Sequence, residues 1–296
     1  MKTFTKLLAG VVTILALAMI GCQNDTDTHE HTYSTVWSND ATNHWHSATC
    51  EHKTAVSDKA AHKFDEGVVT KETKTFTCNV CNYQRSVSVG DIIYTDGTTS
   101  SKDAELTSGK TPVAVVAGFN PNGVMFGLGL KQSSSRLEWA PRDTTGYSKE
   151  FTGIIAYSDK TENGAGSTAT ITGDTDGSDN WEYVKSTDPE GTADAETNYP
   201  AFNFAATYAA TAGITGEIAE GWYMPSIAEL CELYKNKDTL NTSLSKCSGT
   251  QFRNSWYWSS SQGSRSNYAW SLDFGDGYLS DYTKGNEGYV CCVRAF

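Results

Sequence analysis

Apolar and polar positions change rhythm several times along this chain. Leu7 to Ile20 is an unbroken uncharged run of apolar and small residues behind Lys2 and Lys6. Residues 30–87 then carry few apolar side chains. From there the pattern is that of a larger globular unit. Val87 to Tyr94 and Val113 to Val116 are β-rich runs bounded by polar residues and predict strands. Asn198 to Ala212 is Ala-rich with aromatics at helical spacing, and Gly213 ends it. Ser226 and Glu229 form a capping box in front of Ile227, Leu230, Leu233 and Tyr234, which recur with the helical period. Asn163 to Asn180 is mostly Gly, Thr, Ser and Asp and predicts a long irregular loop. From Trp256 to the end, short alternating stretches are separated by Gly, Asn and Ser, which predicts several short strands with turns. The fold class is therefore α+β: two helices, many short strands and long loops, preceded by a small unit.

The apolar run at the start is too short to span a bilayer as a stable helix, and a basic start plus a short apolar core reads as an export signal. It ends in Ala18-Met19-Ile20-Gly21-Cys22, followed by a polar stretch. This resembles a bacterial lipoprotein signal, with Gly just before the Cys to be acylated. Residues 1–21 are then a signal peptide and 22–29 a lipidated tether. Acyl chains, palmitate among them, on Cys22 place the protein at the cell envelope, with the outer-membrane surface as the expected location. The net charge of −12 and scattered Lys and Arg argue against nucleic acid as a partner.

All six histidines fall in or at the edge of 30–87, which marks that segment as a unit of its own. Its halves resemble each other weakly: His31-Thr-Tyr33 leads to Cys50-Glu-His52, and His62-Lys-Phe64 leads to Cys78-Asn-Val-Cys81. Cys78 and Cys81 have the spacing of a zinc hook, because two thiolates so placed can close on one tetrahedral ion. His46, Cys50 and His52 supply the remaining donors, with His62 as a further source, so a structural zinc in a ribbon-like unit is expected. A Cys78–Cys81 or Cys50–Cys81 disulfide is the competing reading, since export permits disulfides. Cys231, Cys247, Cys291 and Cys292 form either two bridges of unknown pairing or buried thiols.

Two other chemistries are weaker. The loop Asp174 to Asp179 is oxygen-rich, as calcium prefers, but its spacing lacks a closing Glu, and a polar turn is the simpler reading. No histidine follows His62, so a Ser–His or Cys–His pair cannot form within the larger unit.

The stretch Gly263 to Gly288 is dominated by Gly, Ser, Tyr, Asp and Asn, which together supply seventeen of its residues. Tyr offers rigid contact area and the small polar residues adaptable hydrogen bonds, the composition of antibody loops. Trp258, Trp270, Leu272, Phe274, Leu279, Tyr289 and Val290 alternate with them and are expected inside.

Gly221-Trp-Tyr-Met-Pro-Ser226 with Glu229-Leu230, then Tyr257-Trp-Ser-Ser-Ser261, Ala269-Trp-Ser-Leu-Asp-Phe274 and Val290-Cys-Cys-Val-Arg294, resemble the C-type lectin fold in its formylglycine-generating-enzyme-like branch. More narrowly, they resemble the variable proteins of bacterial diversity-generating retroelements, of the Treponema lipoprotein type. The resemblance covers 88–296 and implies a C-type lectin-like ligand-binding domain with a variable region at about 255–290. It implies that adenines in Asn codons are rewritten, giving codons for Ser, Tyr, Asp, Gly and Asn but not for Lys, Glu, Gln or Trp. The positions it implies for the variable face are Ser255, Tyr257, Ser264, Ser266, Tyr268, Ser271, Asp273, Gly275, Asp276, Tyr278, Ser280, Asp281, Tyr282, Gly285, Asn286 and Gly288. Lys284, Glu287, Gln262 and Trp270 are implied scaffold. The branch also contains enzymes with a spaced Cys pair near the chain end; Cys291 and Cys292 are adjacent, so that activity is not carried over. The expectation is a surface-displayed, non-catalytic binder of a protein or glycan ligand. The alternative is an exported enzyme or carbohydrate-binding lectin with a fixed site.

Overall fold

The computed structural model describes residues 30–120 and 122–296. The signal peptide, Cys22 and the tether expected before residue 30 lie outside the described residues. The chain groups into two compact units, one ending at Ala61 and the other running from His62 to Phe296.

Within the first unit, β1 (Tyr33–Asn39), β2 (Asn43–Ala48) and β3 (Val56–Ala61) form an antiparallel meander. Its apolar content is slight: among its described residues only His44 and Ala48 are buried, while Val36 stands 73% exposed.

The second unit opens with another meander, β4 (Val68–Thr70), β5 (Thr73–Thr77) and β6 (Gln84–Ser88). These strands group with the large unit and not with β1–β3, although composition places all six strands in one histidine-bearing segment. The reason lies at the end of β6. Val87 is buried in the large core, and Lys74 donates to the Gly123 carbonyl at 2.8 Å.

A six-stranded sheet follows, in the order β14-β19-β10-β9-β7-β8. It comprises β7 (Ile92–Tyr94), β8 (Thr99–Ser100), β9 (Pro112–Phe119), β10 (Met125–Gln132), β14 (Trp222–Tyr223) and β19 (Cys291–Ala295). Both faces are covered, which is why its strands read as continuous apolar runs and not as alternations. Val115, Ala117, Leu128, Cys291 and Val293 join a core with the helix Ile227–Lys235. Ala114, Val116 and Cys292 join the other core, with Trp139, Phe202, Tyr208 and Trp258. Gly129 leaves room for the Tyr208 ring, which a Cβ there would strike. Cys231, Cys247, Cys291 and Cys292 are unbridged thiols, so the four pack as small hydrophobes.

Two short pairs, β11 (Leu137–Glu138) with β18 (Glu287–Gly288) and β12 (Ala156–Ser158) with β13 (Ile171–Gly173), flank a separate three-stranded sheet. That sheet is β15 (Trp256–Gln262), β16 (Tyr268–Asp273) and β17 (Leu279–Thr283), all antiparallel. The Ser226 cap is present in full, with Glu229 N–H donating to Ser226 Oγ and the Glu229 carboxylate accepting from Ser226 N–H. Helical structure exceeds the two helices expected. The Ala-rich segment is broken at Thr207 into Pro200–Ala206 and Tyr208–Ala212, and helices Asn180–Thr187 and Lys237–Lys246 are additional. The polar loop 163–180 holds a helical turn at Ala165–Thr168 as well as β13. No helix among the described residues is long and apolar enough to cross a membrane.

Candidate functional site: an aromatic cleft on the C-terminal sheet

Three indoles pack against the three-stranded sheet, Trp270 in one core and Trp258 with Trp139 in the other, and their N–H groups are all engaged. Trp258 donates to the Leu137 carbonyl at 2.9 Å, Trp270 to Ala156 at 2.8 Å and Trp139 to Ser259 at 3.1 Å. Each is buried, and each is held by packing plus one directed bond. The serines that follow are equally internal. Ser259 donates to the Trp270 carbonyl, Ser260 accepts from Asn180, and Ser261 donates to Asp174 and accepts from the Ile227 N–H.

The sheet meets the loop Asp174–Asp179 and the capped helix in one buried polar network. Asp174 Oδ2 accepts from Asn180 and Ser261, both at 2.7 Å. Glu229 accepts from Tyr223 OH at 2.7 Å, Ser226 N–H at 2.8 Å and Gly177 N–H at 3.0 Å. Burial raises Glu229 to about 7 and Asp174 to about 6, against the lowering effect of those donors. Asp176 accepts from Ser178 N–H in a local turn. No group of three candidate metal ligands assembles there among the described residues.

On the outer side, an open cleft of ≈ 750 Å³ is lined by Arg136, Glu138, Trp256, Tyr278, Ser280, Tyr282, Gly285, Asn286 and Glu287. Trp256 is its centre, stacked on Tyr282 at 6.2 Å and edge-on to Tyr278 at 5.9 Å. Glu138 and Glu287 face each other as register partners of β11 and β18. Burial, then the charge of Glu287, raises Glu138 above the usual carboxylate range. Arg136 donates to Ser255 Oγ at 2.8 Å.

Five of the sequence-predicted face residues thus converge on one cleft: Tyr278, Ser280, Tyr282, Gly285 and Asn286. Others flank the sheet. Ser264, Ser266, Tyr268 and Asp281 sit at the β15–β16 turn end, where Ser264 donates to Asp281 and Arg265 lies 4.9 Å over the Tyr268 ring. Asp273, Gly275 and Asp276 form the β16–β17 turn, closed by Gly277 at φ +75°, a left-handed value suited to glycine. Four predicted positions are internal and belong to the scaffold. Tyr257 is fully buried and donates to Gln132 Oε1 at 2.5 Å, while Ser255 and Ser271 are 7% and 2% exposed. Gly288 lies against the Trp258 indole. Strand phase accounts for Tyr257, the neighbour of the cleft residue Trp256, whereas Ser271 shares the face of Ser280 and is covered there. Sequence reasoning missed Trp256, Arg136 and Glu138. The last two come from a segment far upstream that only the β11–β18 pairing brings to the cleft.

Lys284, expected as scaffold, is fully buried; its Nζ donates to the carbonyls of Gly146 and Lys149 and to Gln262 Oε1. It lies 4.5 Å over the Trp139 ring, and burial lowers its ammonium to about 7.

The histidine and cysteine residues fall into separate groups. In the first unit, His31 Nδ1 is 3.3 Å from Cys50 Sγ, which is 4.0 Å from His52 Nδ1. In the second, His62 Nδ1 is 3.4 Å from Cys81 Sγ, and Cys78 belongs to the same group. Burial works to raise the Cys78 thiol, yet N–H donors from Cys81, Val80 and Lys63 together with His62 bring it down to about 5. These sets are compatible with zinc. Of the five expected metal ligands, Cys50, His52, Cys78 and Cys81 are in them. His46 is not: it stacks on Trp37 at 3.8 Å.

A crystal structure of a fimbrial protein from Bacteroides ovatus is similar at 13% identity and a TM-score of 0.49, covering 84% of this chain. The chain spans about 62% of that protein's length. No curated protein matches. Residues 134–294 match the Lcl C-terminal domain model, a stretch that contains the cleft, the buried indoles and the capped helix. The chain therefore belongs to the family of the Lcl C-terminal domain, a variable-protein family with a C-type lectin-like fold.

Proposed function

We propose that this protein is a lipid-anchored surface receptor that binds a protein or glycan ligand in the Trp256 cleft, without catalysis, and that the cleft is diversified by a retroelement. The carrying observation is the convergence of Tyr278, Ser280, Tyr282, Gly285 and Asn286 around Trp256, on a sheet whose buried indoles and serines are all engaged internally. A rigid scaffold under an adaptable polar rim lets side chains change at the rim without loss of the core. Fixed residues, Trp256 with Arg136, Glu138 and Glu287, would supply the constant part of recognition. Cys291 and Cys292 favour a binder over an enzyme: both are fully buried, and burial pushes their thiols well above the ordinary value, away from the reactive thiolate. The histidine-bearing segment 30–87 serves as a structural zinc unit, and no role for calcium is proposed.

The test is to sequence the codons for residues 255–290 in a population grown from one cell. Substitutions confined to outward positions, with Trp258, Trp270 and Cys291 unchanged, are expected. An invariant stretch would overturn diversification and favour a receptor of fixed specificity.

A further inference from the structure

The two His/Cys groups repeat at a fixed spacing that the weak likeness of the two halves only hints at. Thirty-one residues separate His31 from His62, Tyr33 from Phe64 and Cys50 from Cys81. The geometry repeats with the sequence. In each copy a His Nδ1 lies against the Sγ of a Cys nineteen residues later, at 3.3 Å and at 3.4 Å. In each copy the histidine ring tilts against the aromatic two residues on, at 54° and at 44°. The residue after each histidine also accepts a backbone bond from the turn that carries the cysteine: Thr32 O from Thr49 N–H and Lys63 O from Asn79 N–H, both at 2.9 Å. Each copy sits on its own three-stranded meander.

A His–thiol hydrogen bond has the same length, so the pair alone does not decide. The third donor does. His52 joins the first pair and Cys78 the second, and the ligand atoms of each set lie within 4.8 Å of one another. Tetrahedral zinc with its usual bonds to N and S places its ligand atoms about 3.3–3.8 Å apart, close to the spacings seen. Soft thiolate with imidazole selects zinc-class ions over calcium or magnesium. The first meander also has the physical need: with only Ala48 and His44 buried among its described residues, it lacks an apolar core of its own. A disulfide cannot meet that need within residues 30–61, where Cys50 is the only cysteine.

We infer that the chain holds two zinc-class ions, one on His31, Cys50 and His52 and one with Cys78, Cys81 and His62 among its ligands, as two copies of one duplicated module. On binding, any thiol still protonated releases its proton to solvent and each histidine binds as neutral imidazole. This deepens the reading of 30–87 as a structural zinc segment and adds a second ion to it. The donor sets differ, with one thiolate in the first copy and two in the second.

Zinc is measured by elemental analysis on the full-length chain purified in detergent, beside Cys50→Ser and Cys81→Ser. Two equivalents are expected, with one lost in each variant. A single equivalent that Cys50→Ser leaves untouched overturns the two-ion inference and keeps the single structural zinc. No zinc overturns both. Should either variant fail to fold, cobalt(II) titration of the unaltered chain decides. Two successive sites, the two-thiolate one with the stronger sulfur-to-cobalt absorption, support the inference, and a single site refutes it.

Discussion

At the scale of residues, the C-terminal stretch divides by strand phase and not by residue type. Tyr257 and Tyr282 are the same side chain on the two outer strands of one sheet. Tyr257 is fully buried and bonded to Gln132; Tyr282 is 53% exposed and stacks on Trp256 in the cleft. Removing a buried aromatic costs about 3–5 kcal/mol, while surface changes stay within about 0.5 kcal/mol. Urea melts should therefore show a large fall in midpoint for Tyr257→Ala and almost none for Tyr282→Ala; similar falls for both would place Tyr282 in the core. Composition made the two look alike, because a codon argument cannot see phase. Glu229 gives a second residue-level expectation. Its carboxyl is raised by burial from 4.5 to about 7, so between those values the folded chain binds the proton that the unfolded chain has released. Stability then falls as pH rises from about 4.5 to 7 and is flat above, a loss of about 3 kcal/mol from this one group. Glu229→Gln keeps an acceptor for Ser226 and Gly177 N–H and a donor toward Tyr223, as the protonated acid does. Its stability should lose that slope between about pH 4.5 and 7, measured against the unaltered chain by urea unfolding. An unchanged slope would mean that Glu229 is ionised in the fold.

At the scale of elements, legibility followed how local the signal was. The capping box at Ser226 and Glu229 is written in four consecutive positions, and the helix Ile227–Lys235 begins there. The helix Lys237–Lys246 went unread because Thr, Asn and Ser dilute its Leu240 and Leu244 stripe. The Ala-rich segment reads as one helix, yet Thr207 divides it. The cleft was legible only on its β17 side. Its Arg136 and Glu138 wall depends on the pairing of Leu137 with Gly288, which no local pattern announces. The cap also bears on the site, since Glu229 ties the helix start to Gly177 and the Ile227 N–H ties it to Ser261 of the sheet. Ser226→Ala should lower stability by about 1–2 kcal/mol in thermal unfolding. A change of a few tenths would show that the helix start is held by packing alone.

At the scale of the whole molecule, the proposed lipid-anchored reading turns on what would hold the protein at a membrane. Leu7 to Ile20 is too short to span once the chain is exported, and no helix among the described residues is long and apolar enough to do so. The net charge of −12 works against attraction to an anionic lipid surface. Covalent acylation at Cys22, as proposed, would meet the need without a spanning segment. One acyl chain gives only reversible attachment, whereas two or more hold a protein stably. In the native host, the unaltered chain should take up labelled palmitate and sediment with membranes. Cys22→Ser should lose the label and move to the soluble envelope fraction or the medium, with its fold intact by circular dichroism. A Cys22→Ser chain that stays with the membrane would mean that something else anchors it, and the lipoprotein reading would fall while the cleft and its ligand-binding role would stand.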